Sequence, residues 1–152
     1  MAEKRIISLL PAATEIVCAL GLENQLVGRS HECDYPSTVT NLPVCSSAKF
    51  ISGSSSAEID RQVKEILTDA LSIYTVDTQA IKALQPDVVI TQTQCEVCAV
   101  STRDVEEALA DLLDKPADII SLNPQTLTDI LSEIQLISDR LQVPEKGSQL
   151  IE

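Results

Sequence analysis

Apolar residues in this chain fall into short unbroken runs, separated by longer stretches in which they recur every three or four positions. The short runs are RIISLL (5–10), QLVGRS (25–30), LPVCS (42–46), PDVVIT (86–91) and DIISL (118–122). Their continuous rather than alternating apolar character predicts strands buried on both faces. PAATEIVCALG (11–21) predicts a helix with Pro11 in its first turn and Gly21 as its stop. SSAEIDRQVKEILTDAL (55–71) predicts an amphipathic helix, with Ser56 as cap and Ile59, Val63, Ile66 and Leu67 on one stripe. Further helices are predicted over 77–84, capped by Asp77, over 102–113, and over 126–141. This alternation predicts an α/β, Rossmann-like lobe: a parallel sheet of four or five strands, helices on both faces, and a long closing helix. The small, polar segment SSAKFISGSSS (46–56) reads as a flexible loop or lid.

A length of 152 residues suits one compact domain with its own core. Two Tyr, one Phe and no Trp leave that core to aliphatic side chains. A formal net charge of −12 argues against nucleic acid, whose phosphates are bound by basic residues, and against an anionic membrane surface. No stretch approaches the roughly 20 apolar residues that span a bilayer. The five cysteines cannot all pair within the chain, which suits a reducing compartment. Pro11, Thr14 and Glu15 interrupt the first apolar run, unlike a secretion signal. The expected location is therefore cytoplasmic.

The unusual residues follow the strands. SLLPAATE follows the first, SHECDYP the second, CSSAKF the third, TQTQCEVCAVS the fourth and LNPQT the fifth. In a doubly wound sheet these loops share the carboxyl edge, where ligands bind. Three readings of the thiols stand open. His31, Cys33, Cys95 and Cys98 are the right donors for tetrahedral Zn or for Fe. Cys95 and Cys98, between a strand and a helix, could be a redox pair, although Glu96 opposes thiolate formation. Alternatively Gln92, Gln94, Glu96, His31 and Glu32 form the hydrogen-bonding rim of a ligand pocket, with the thiols as soft contacts. Cys18 lies on the apolar face of its helix and reads as core, whereas Cys45 fits either role. The sequence has neither a Ser–His–Asp arrangement nor a Gly-rich phosphate loop, so a binding protein is expected rather than an enzyme.

RIISLLPAATEIVCALGLENQLVGRS, the following HECDYP, and DTQAIKALQPDVVIT carry a family resemblance. The chain resembles the amino-terminal lobe of the cobalamin and iron-siderophore substrate-binding proteins of ABC importers, whose two lobes are joined by one long helix. Within them it resembles a subgroup without a secretion signal. The resemblance implies a ligand-binding lobe over 1–125, a linking helix over 126–152, and a second lobe absent from this chain. It implies a small-molecule ligand, cobalamin or a related metal chelate, at Pro11, Ala12, Thr14, His31, Glu32, Cys33, Asp34, Tyr35, Gln94, Cys95, Glu96 and Cys98. In that arrangement His31 ligates the ligand's metal, Glu32 and Gln94 bond its amides, and Pro11 to Thr14 form the cleft floor. The family's permease-docking glutamate matches Gln79 here, a departure that weighs against docking. An uncovered cleft also makes a homodimer an expectation.

Overall fold

The computed structural model describes residues 3–48, 55–56, 74–92 and 113–152. Among these residues, six strands and four α-helices run in the order β1 (Ile6–Ser8), α1 (Pro11–Ala19), β2 (Leu26–Arg29), β3 (Ser46–Ala48), β4 (Tyr74–Val76), α2 (Thr78–Leu84), β5 (Val88–Gln92), β6 (Asp118–Leu122), α3 (Leu127–Arg140) and α4 (Pro144–Ile151). The helices expected over 55–71 and 102–113 lie almost wholly outside the described residues. So does most of the 46–56 loop.

Strands β2, β1, β5 and β6 form one sheet in that order, and every pair is parallel. The side-chain period of two explains the unbroken apolar runs. Ile6, Val88, Ile90, Ile120 and Leu122 share a core with Val17 of α1, Ile137 of α3 and Leu141 just beyond it. Ile7 and Val89, one step out of phase, meet Ile81 of α2 and Cys45 in a second core. Both faces of the sheet are thus covered. Gly28 sits opposite Ile7 in the β1–β2 register. A Cβ there would lie 2.8 Å from Cys45 Sγ and 2.9 Å from Leu84 Cδ1, so only glycine lets the second core close over β2.

Two elements differ from the sequence-based expectation. The strand expected over 42–46 is displaced. Val44 makes a single parallel bridge to Arg29, and β3 begins at Ser46 and pairs antiparallel with β4. Pro43 explains the break: its carbonyl accepts from Arg29 N at 3.0 Å, but it has no N–H with which to continue a ladder. The segment 126–152, expected as one linking helix, is two. Pro144 starts α4, and Gln142 turns the chain at φ 64. Ile137 of α3 and Leu141 just beyond it pack into the first core.

Among the described residues, two ion pairs lie at the amino edge of the sheet. Lys115 pairs with Asp87 and Arg140 with Asp118. Asp87 also accepts from the Arg5 backbone N–H at 2.8 Å. The hydrogen bond from Arg140 holds the Asp118 carboxyl below its ordinary range.

The excursion over 30–43 is closed by Arg29. Its backbone pairs with Pro43 O and, at 2.7 Å, with Cys45 N. Its guanidinium donates to Ser30 O and Cys33 O at 3.1 Å each, and to Thr40 O at 3.0 Å. Lysine cannot span three carbonyls with one ammonium. Arg29→Lys should therefore loosen this loop by about 1–3 kcal/mol, read as faster amide exchange over 30–42; unchanged exchange would refute the clamp. A second test concerns α3 and α4, which touch where a Cβ on Gly147 would lie 2.6 Å from Ser138 Cβ. Gly147→Ala should lower stability by about 1–3 kcal/mol through overpacking, and thermal melting at an unchanged midpoint would contradict that contact.

Candidate functional site

The order β2-β1-β5-β6 makes the chain leave β1 in one direction and return on its other side, so the topological switch point lies between β1 and β5. The segments leaving the carboxyl ends there are the start of α1, the loop after β2, and the end of β5. Helix α1 begins immediately after β1, with Pro11 at its first position and no side chain capping its amino terminus. Pro11 is half-buried and Ala12 exposed, both at the rim.

Thr14 lies one turn deeper and is fully buried. Its Oγ1 bonds Leu10 O at 3.2 Å and lies 3.1 Å from Cys33 Sγ. Cys33 is itself fully buried. These two of the expected site residues therefore tie the 30–43 loop to α1 from beneath. His31 turns elsewhere: Nδ1 lies 2.8 Å from Ser46 Oγ, and its backbone N–H donates to the same oxygen at 3.2 Å. Ser46 Oγ in turn lies 3.1 Å from Ser30 Oγ. Ser30 Oγ also accepts from Glu32 N at 3.2 Å. Glu32, Asp34 and Tyr35 are exposed on the outer side of the loop, Tyr35 by 66%. A cis peptide joins Tyr35 to Pro36.

Thr91 and Gln92 close β5 half-buried at this edge. Gln94, Cys95, Glu96 and Cys98 lie outside the described residues. Among the described residues no group of three or more His, Cys, Asp or Glu side chains is placed to hold a metal ion. Cys18, Cys33 and Cys45 are free thiols. Burial raises the Cys18 thiol to about 11, helped by Glu23 and Glu15, so it is protonated at neutral pH. Burial likewise raises Cys45, and this residue belongs to the second core. Sequence reasoning passed over Arg29, Ser30 and Ser46. An arginine at a strand end and serines in a polar loop carry no distinguishing pattern; only the fold brings them together. Gln79 is exposed in the first turn of α2.

No protein-family model matches the chain. A curated relative, an uncharacterised ABC transporter substrate-binding lipoprotein, YvrC, of Bacillus subtilis (strain 168), is 23% identical over 149 residues, 97% of this chain and 37% of its own. The periplasmic vitamin B12 binding protein BtuF of Vibrio cholerae aligns with a TM-score of 0.60 and 27% identity, over 97% of this chain and 45% of its own. A periplasmic heme binding protein of Pseudomonas aeruginosa aligns at 0.66 and 19%, over 97% and 42%. The periplasmic heme-binding protein RhuT of Roseiflexus sp. RS-1 aligns at 0.65 and 21%, over 99% and 45%.

These relatives overturn the expected cytoplasmic location, because they are periplasmic proteins or a lipoprotein and so point outside the cytoplasm. The odd cysteine count misled because it speaks only against a full set of disulfides. Buried thiols such as Cys33 and Cys45 sit in a core whatever the compartment. Among the described residues no helix is long and apolar enough to cross a membrane. The chain spans less than half the length of these relatives, and it has the fold of the amino-terminal lobe of an ABC-transporter substrate-binding protein.

Proposed function

We infer that the chain is a non-enzymatic binding lobe for a metal chelate, a corrinoid first among them, serving an ABC importer. The observation that carries this reading is His31. It is a half-buried imidazole beside the switch point, on a loop that Arg29 and Ser46 both hold. Ligand pockets need a few well-placed polar groups on a rigid frame, and His31 is a metal-ligating type so placed. Tyr35 adds an exposed flat ring, and the uncapped start of α1 adds backbone donors and the positive end of a helix dipole. The relatives whose titles name vitamin B12 or heme support the chelate class.

Charge favours a corrinoid within that class. A porphyrin's carboxylates would approach a chain of net charge −12 beside Glu32 and Asp34. A corrinoid's peripheral amides are neutral and can accept or donate there. In this reading His31 ligates the metal, Glu32 and Gln94 bond the amides, and the exposed start of α1 forms the floor. Thr14 and Cys33 support that floor from below. The permease is the second partner, with Gln79 in place of the family's docking glutamate.

The test is a visible-spectrum titration of the whole chain with aquocobalamin, and in parallel with hemin, for the wild type and His31→Ala. The expected result is a saturable shift with aquocobalamin that His31→Ala loses, and a weaker response to hemin. A shift that survives His31→Ala removes the imidazole from the metal. No shift with either chelate refutes chelate binding by this lobe.

A further inference from the structure

We propose that the loop after β6, Asn123 to Thr126, together with Leu127 at the start of α3, is the far wall of the ligand edge, and that the side-chain amides of Asn123 and Gln125 bond neutral peripheral groups of a wide, flat ligand. Strand β6 runs parallel to β5, with Leu122 in register with Gln92. Asn123 therefore leaves the sheet at the carboxyl edge, one strand beyond the switch point. In the order β2-β1-β5-β6 the 30–43 loop and the 123–126 loop stand at opposite ends of that edge. Three strand intervals separate them, about 14 Å at about 4.8 Å each. That span suits a macrocycle with its side chains and is too wide for a single ion. Among the described residues the two most exposed large hydrophobic side chains are Leu127 at 73% and Tyr35 at 66%. One stands at each end of the edge, where the apolar face of one wide ligand covers both.

This wall is preformed. Every backbone N–H of 123–126 is accepted by a carboxylate of α3: Asn123 N by Glu133 at 2.7 Å, and Gln125 N and Thr126 N by Asp129 at 3.0 and 2.8 Å. Pro124 has no N–H to place. A backbone N–H only donates, so the direction of each bond is fixed. Asn123 and Gln125 are exposed, and their side-chain amides meet at 2.9 Å. One hydrogen bond between two carboxamides uses one oxygen and one N–H, whichever way the two are turned. The pair still has a carbonyl oxygen and N–H donors to offer. That equipment matches a neutral amide, which both gives and takes a hydrogen bond, better than a carboxylate, which only takes. The ligand class rests on the chelate-binding reading above, whereas the braced loop does not.

The test titrates the whole chain with aquocobalamin and with a corrinoid whose peripheral amides are hydrolysed to carboxylates. Asn123→Ala and Gln125→Ala should each bind aquocobalamin about 2–10-fold more weakly, as for one lost hydrogen bond, at unchanged thermal midpoints. The wild type should prefer the amide form, and both variants should lose part of that preference. In nitrogen NMR the side-chain NH2 signals of Asn123 and Gln125 should move with saturating aquocobalamin. Without ligand, the Asn123 backbone amide should exchange slowly, and Glu133→Ala should speed it. Wild-type affinity in both variants, with unmoved NH2 signals, overturns the far wall and leaves the chelate reading standing. Equal binding of the amide and carboxylate corrinoids overturns the amide contact. Fast wild-type exchange at Asn123 overturns the preformed loop. No aquocobalamin binding by the wild type refutes both this role and the reading on which it rests.

Discussion

Strand β1 is three residues long, and the lobe is organised by where its two edges and two faces go. Its edges pair in parallel with β2 and β5. Its faces send Ile6 into one core and Ile7 into the other, both fully buried. Each such isoleucine contributes about 2–3 kcal/mol of transfer free energy. The partly exposed ion pairs at the amino edge contribute about 1 kcal/mol or less each. Burial of β1 therefore decides the architecture, and the charges trim it. Once β1 is central, the segments after β1, β2 and β5 must emerge side by side.

That emergence alone would leave a loose rim. Hydrogen bonds from few residues make it firm. Arg29 reaches three carbonyls of the loop that it begins. Thr14 and Cys33 join that loop to α1 in the interior. Ser46 and Ser30 fix the ring of His31 from the other side. A buried polar group left without a partner is expensive, so these bonds favour one arrangement of the loop, although Arg29 Nε is buried without a hydrogen-bond partner among the described residues. The ion pairs Lys115–Asp87 and Arg140–Asp118 lie at the opposite, amino edge of the sheet.

Much of the frame was legible. Asp77 caps α2 through Ala80 N at 2.9 Å, as its position before the helical pattern implied. Pro11 opens α1, and DIISL is β6 residue for residue. These features depend on local chemistry or on a period that shows in one run. The β3–β4 ribbon was not legible, because it joins segments some 28 residues apart (Ser46 to Tyr74) and Ser-Ser-Ala has little strand propensity. The break between α3 and α4 could have been read from Pro144, which disfavours a helical Val143 before it. At the site, His31 and the rim loop were visible as residue types after a strand. The inward turn of Cys33 and the roles of Arg29 and Ser46 were not, since they are properties of a closed loop rather than of any spacing.

A ligand lying over the ends of β1 and β5 beside His31 is the claim on which the functional account stands. The most direct measurement is a crystal structure of the chain grown with aquocobalamin, with the cobalt located by its anomalous scattering. The account predicts one cobalt at the carboxyl edge, within bonding distance of the His31 imidazole and facing the start of α1. A cobalt found at the amino edge, or on a cysteine thiol away from the switch point, would contradict it.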